Sequence, residues 1–101
     1  MYFVIFCIDK PGISRDPKVM ADHVEYLEQS PIKNIVSGPL TGDDGEKVIG
    51  SLYIVQAENR KAIEDFQRED PLAKADYWET IEVRAFSKRV DNREPWLTGQ
   101  L

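Results

Sequence analysis

An α+β fold, with its elements in the order βαββαβ, is what this chain of 101 residues predicts. Three observations carry that prediction. Four short runs are rich in β-branched and aromatic residues, two amphipathic stretches begin at capping residues, and turn residues stand between them. The order is the split βαβ pattern of a ferredoxin-like subunit: a four-stranded antiparallel sheet with two helices on one face, placed there by right-handed crossovers.

The opening run, "YFVIFCID" at 2–9, is apolar up to its final Asp and reads as a buried strand. "KPGISRDP" breaks it. Asp16 is a good N-cap and Pro17 suits the first helical position, where a missing N–H costs nothing. That helix should run to Gln29 and stop before Pro31, because the residue before a proline avoids the helical region. "NIVSGPLT" at 34–41 is the next strand, and its Gly-Pro pair fits a sheet edge better than a sheet centre. "GDDGE" supplies a hairpin loop, and "KVIGSLYIVQA" at 47–57 the third strand. Asn59 caps a second helix, "RKAIEDFQRE", which meets Asp70-Pro71. "PLAKAD" is a short helical turn before the last strand, 77–89.

The strands carry apolar residues for both sheet faces: Phe3, Ile5 and Cys7 against Val4, Phe6 and Ile8. Two helices cover one face only. An uncovered apolar face is an interaction surface, so a second copy is expected there, sheet against sheet, as a homodimeric α/β barrel. Residues 1–88 are read as one domain and 89–101 as a polar tail, in which Trp96 either anchors across the partner subunit or is loose.

Composition narrows the function. Acids outnumber bases 18 to 13 and no basic stripe exists, which argues against nucleic acid as a partner. The longest apolar run is too short to cross a membrane, and no basic start or cleavage site marks a signal peptide. A single cysteine, Cys7, permits no internal disulfide, so a reducing cytoplasm is the expected location. With one histidine and one cysteine there is no His/Cys zinc cage, and no metal or other cofactor is expected. The "GDDGE" loop has too few ligands, wrongly spaced, for an EF-hand.

The one histidine lies on the first helix. At about 100° per residue, Met20, Val24 and Leu27 define its buried stripe, with Val19 and Tyr26 on a shoulder. His23 falls about 40° from Leu27, inside the shoulder and away from the arc of Asp22, Glu25 and Glu28. On the second helix Ala62, Ile63 and Phe66 face inward, and Asp70 continues their stripe. A carboxylate there needs a partner. It can cap the turn starting at Pro71, or accept a hydrogen bond from His23, since both helices share a sheet face. The second arrangement fixes the imidazole tautomer and raises the basicity of the other ring nitrogen, giving a general base active near neutral pH. A shoulder histidine that is simply satisfied by a carbonyl or an acid is the plainer alternative.

Gly38-Pro39 can be a backbone wall of a pocket or a break in the strand. Gly50-Ser51 can bring a hydroxyl to a ligand or make room for a packed aromatic. Tyr26 and Trp78 can line a cleft or pack in the core. Cys7 reads as structural.

These residues together resemble the YCII-related (YciI-like) family of small dimeric α/β-barrel proteins, over Tyr2 to about Arg84. The likeness rests on His23 with Tyr26-Leu27, Gly38-Pro39-Leu40, Gly50-Ser51 and Asp70-Pro71-Leu72, in that order. It implies a ferredoxin-like subunit, a dimer, and an active site centred on His23 and Asp70, with proton abstraction, elimination or isomerisation of small ring compounds as precedent. Three positions depart from the family pattern: Met20 stands where an arginine is frequent, Leu72 where an aromatic residue is, and Asp76 where a glycine is. Two functions follow as expectations. One is a cofactor-independent enzyme with His23 as base, Asp70 as its orienting partner, and Ser51, Gly38, Pro39 and Tyr26 about a small cyclic or oxo substrate. The other is a non-catalytic dimer that binds a small molecule.

Overall fold

The computed structural model describes residues 1–93, so the expectation about Trp96 lies outside the described residues. Its elements are β1 (Tyr2–Asp9), α1 (Pro17–Gln29), β2 (Lys33–Thr41), β3 (Val48–Gln56), α2 (Arg60–Glu69), α3 (Pro71–Lys74) and β4 (Trp78–Phe86). The strands form one antiparallel sheet in the order β2-β3-β1-β4. This is the α+β arrangement expected, with the Gly-Pro strand at an edge.

The helix starts follow from their caps. Asp16 accepts from Lys18 N at 2.7 Å, Asn59 from Ala62 N at 2.9 Å and Asp70 from Leu72 N at 2.8 Å. Each answers one of the N–H groups that a helix start leaves unpaired. Strand alternation then sorts the two faces. Phe3, Ile5 and Cys7 of β1 lie opposite Val55, Tyr53 and Ser51 of β3, and all six are buried beneath the helices with Ile63, Phe66 and Leu72. Burial drives the Cys7 thiol up to about 12, against a hydrogen bond from Gln67, so its thiolate is negligible at neutral pH.

On the opposite face Val4 pairs with Ile54 and Phe6 with Leu52, and Val36 lies beside Ile54. Phe6, Val36 and Phe86 remain more than a third exposed there. Among the described residues no helix is long and apolar enough to cross a membrane.

Two expectations need correction. Gly50 does not make room for an aromatic ring: a Cβ there would stand 2.1 Å from the Cys7 carbonyl oxygen, so the close neighbour is the backbone of β1. Gly38-Pro39 does not break β2 either, because the register shifts lie between Asn34 and Val36 and between Leu40 and Thr41. Asp76, at the position where a glycine is frequent, has φ 61°, a left-handed conformation that glycine adopts without cost and that Asp tolerates. Its carboxylate pairs with Lys10.

Candidate functional site

Helix α1 buries one residue, His23, which is 7% exposed. The wheel places Val24 in the buried stripe with Met20 and Leu27, yet Val24 is 51% exposed. The reason is local: α1 packs on α3 and β3 through its His23 side, while Val24 faces an open cleft.

His23 Nδ1 lies 2.9 Å from Asp70 Oδ1, and Asp70 is 1% exposed. The same oxygen accepts from the Leu72 N–H. Asp70 therefore serves both readings considered from the sequence, as cap of α3 and as partner of the imidazole. With a carboxylate acceptor against Nδ1, that nitrogen carries the proton and Nε2 presents its lone pair. Nε2 faces the Tyr53 hydroxyl at 3.4 Å, and the rings meet edge to face with centroids 6.0 Å apart. Burial, and then the nearby Asp70 charge, push the Tyr53 phenol well above its ordinary range. The phenol stays protonated at neutral pH and donates.

Ser51 Oγ accepts in turn from Arg15 Nη2 at 3.1 Å. Arg15 is clamped by Asp9, with Nε to Oδ2 at 3.0 Å and Nη2 to Oδ1 at 2.8 Å. Two hydrogen-bonded groups, Asp70–His23–Tyr53 and Ser51–Arg15–Asp9, thus meet where Ser51 and Tyr53 stand two residues apart on β3. They border a cleft of about 450 Å³. Met20, Val24 and Leu27 supply an apolar wall from α1, and Ser37, Gly38, Pro39 and Val48 form the side along the sheet edge. A mostly apolar cleft with a few convergent polar groups is what a small-molecule site requires. A cleft of about 600 Å³ between α2 and β4 is larger, but Arg68 and Arg84 on its rim pair with Asp65 and Glu82, and Arg60 donates to the Val83 carbonyl. It brings no comparable polar run together.

Of the residues singled out from the sequence, His23, Asp70, Ser51, Gly38 and Pro39 converge here, while Tyr26 does not. Tyr26 stacks on Phe66 with centroids 5.4 Å apart and donates to the Phe66 carbonyl at 2.6 Å, which ties α1 to α2. Tyr53 and Arg15 were missed. Tyr53 was within reach, since strand alternation puts it on the same face as Ser51. Arg15 was not, because the path of the loop after β1 decides where it points. Its Nη1 lies 3.7 Å from Met20 Sδ, so a guanidinium stands beside the position where the resemblance had led to an arginine on the helix. Among the described residues no group of three His, Cys, Asp or Glu side chains is placed to hold a metal ion.

Fold and cleft together define a small α+β protein with a buried histidine–aspartate pair beneath an apolar pocket. The YCII-related domain model matches residues 1–87, and the chain belongs to that family. An uncharacterized protein of Haemophilus influenzae is 31% identical over 96 residues, covering 87% of this chain and 98% of that protein. Among solved structures, the chain is similar to 5-chloro-2-hydroxyhydroquinone dehydrochlorinase (TftG) of Burkholderia phenoliruptrix, determined in complex with 2,5-dihydroxybenzoquinone. The identity is 30% and the TM-score 0.69, over 86% of this chain and 94% of that one.

Proposed function

We propose that this protein is a small cofactor-independent enzyme that removes a proton from a hydroxylated or oxo ring compound and so drives an elimination or isomerisation. The observation that supports it is the fixed imidazole: Nδ1 is held by a buried carboxylate, while Nε2 lies 3.4 Å from the Tyr53 hydroxyl and both rings belong to the cleft lining. Nε2 takes a proton from a ring carbon or hydroxyl. The electron pair left behind moves into the ring, and in an elimination it expels a halide or hydroxide from the neighbouring position, so no oxidant is needed. Asp70 stabilises the imidazolium that forms. Tyr53, with its proton retained by burial, turns its hydroxyl from Nε2 to a substrate oxygen, which frees the imidazole lone pair and meets the charge that develops. The 30% identity to a dehydrochlorinase supports a halogenated hydroxyhydroquinone as the first substrate to try.

The test is proton and halide release from a panel of such compounds and cyclic diketones. His23→Ala is expected to lower turnover by about 10²–10⁴-fold, the usual contribution of a positioned base. Wild-type turnover in that variant would rule the mechanism out. Saturable binding of 2,5-dihydroxybenzoquinone with no product from any compound would favour a binding module instead.

The same reading includes a homodimer formed through the open sheet face, supported by the exposure of Phe6, Val36 and Phe86 there. Phe6→Glu is then expected to give a folded monomer by light scattering. A wild-type chain that is monomeric at micromolar concentration would refute the dimer.

A further inference from the structure

Arg15 is a charged group that proton abstraction by His23 leaves without a task. Its side chain is 12% exposed, and it is the only lysine or arginine among the described residues that line the His23 cleft. Nε and Nη2 are committed to Asp9, to Ser51 Oγ and, at 3.3 Å, to the Gly50 carbonyl. Nη1 meets the thioether of Met20, a weak acceptor. A guanidinium edge gains far more from an anionic oxygen than from a sulfur, because charge-assisted hydrogen bonds are about twice as strong as neutral ones. The two-point clamp by Asp9 holds that edge in one orientation, so a ligand pays little to order it.

Resting on the reading of the cleft as a substrate site, the geometry points to Arg15 and Ser51 as its specificity-determining end, holding an ionised ring oxygen, a phenolate or enolate, apart from the one that meets His23. The cleft then takes a ring with oxygens at two separated positions, one delivered to Nε2 and the other to Nη1. Neutral ethers of the same ring fill the apolar space but lose the second contact. Asp9 acts through Arg15 and is a positioning residue. It also offsets the buried cation, so Arg15 is compensated within the protein itself.

The experiment is a binding titration of the full chain with two probes, 2,5-dihydroxybenzoquinone and its dimethyl ether, at a pH where the first is ionised. Arg15→Gln is expected to weaken the dihydroxy probe by about tenfold or more, the loss of one charge-assisted hydrogen bond, and to leave the ether unchanged. Because Arg15→Gln strands the Asp9 carboxylate, the double variant Asp9→Asn/Arg15→Gln is measured beside it, and Arg15→Lys, which keeps charge without the fork, is expected to fall in between. Val24→Trp, whose ring would project into the cleft from α1, serves as the control for location. Dihydroxy binding at wild-type strength in the folded double variant, with Val24→Trp blocking it, overturns the role of Arg15 and leaves the cleft standing. Equal losses for both probes overturn it too, since shape and not charge would then be what Arg15 supplies. Failure of the wild-type chain to bind, or indifference to Val24→Trp, removes the cleft as a site and this inference with it.

Discussion

Gly50→Ala is expected to cost about 3 kcal/mol or more of stability, at the upper end of overpacking substitutions, and to leave little folded protein at 37 °C. The added methyl carbon would stand 2.1 Å from the carbonyl oxygen of Cys7, with the Cys7 carbonyl carbon at 3.2 Å and Ile8 Cα at 3.3 Å. All three neighbours are backbone, so no side chain can turn away. Relief requires β3 to separate from β1, the pairing on which the sheet centre and the Ser51–Tyr53 wall depend. Gly38→Ala is the matched control, since a Cβ there meets nothing within 4 Å, and its cost should stay within about 0.5 kcal/mol. Urea denaturation of the two variants checks this, and equal midpoints would show that the close approach is not real.

Removal of the Asp70 carboxylate should be the second large effect, and it separates two roles. Asp70→Ala strips the cap from α3 and leaves the Leu72 N–H and His23 Nδ1–H buried without an acceptor. The lost cap, which is the stranded Leu72 N–H, costs about 1 kcal/mol and the stranded imidazole donor about 1–3 kcal/mol, so a loss of about 2–4 kcal/mol is expected. Asp70→Asn keeps an amide oxygen for the cap and the ring, and should lose less than half as much. Its activity should nevertheless fall by about 10²-fold or more, because no negative charge then offsets the imidazolium. Chemical denaturation and turnover, measured on both variants, decide the matter. An Asn variant that loses stability and activity in the same proportion as Ala would reduce Asp70 to a structural residue.

How much was legible depended on how local the determining physics is. Asp16-Pro17, Asn59 and Asp70-Pro71 mark their helices within a few residues, because a cap is a contact between near neighbours. The Gly38-Pro39 pair read correctly as an edge strand since proline has no N–H to give a neighbouring strand. The convergence of His23 and Asp70 was also within reach, because two helix wheels and a shared sheet face suffice for it. Val24 reads as a buried member of the α1 stripe because a wheel detects apolar character and cannot tell a face that meets protein from one that meets a cleft. Tyr26 was assigned to the cleft for the same reason, whereas its hydroxyl belongs to the Phe66 carbonyl of α2. Arg15 could not be read at all. Its position follows from the loop between β1 and α1, which is pinned by Lys10 N to the Tyr77 carbonyl and by Asp16 N to the Tyr77 hydroxyl, contacts more than sixty residues apart in sequence.

The two sides of the cleft are anchored to the fold with unequal firmness, and this bears on how the protein diversifies. His23, Asp70, Ser51 and Tyr53 are embedded among fully buried residues on central elements, where any exchange disturbs the core. Ser37, Gly38, Pro39 and Val48 lie at the sheet edge and are exposed, so exchanges there carry small folding penalties. Drift at that edge is therefore free to reshape the pocket while the buried His23–Asp70 pair is inherited intact. Under the proposed function, a lineage built on this chain would change the ring compound it accepts by edits to β2 and the start of β3, with the core held constant.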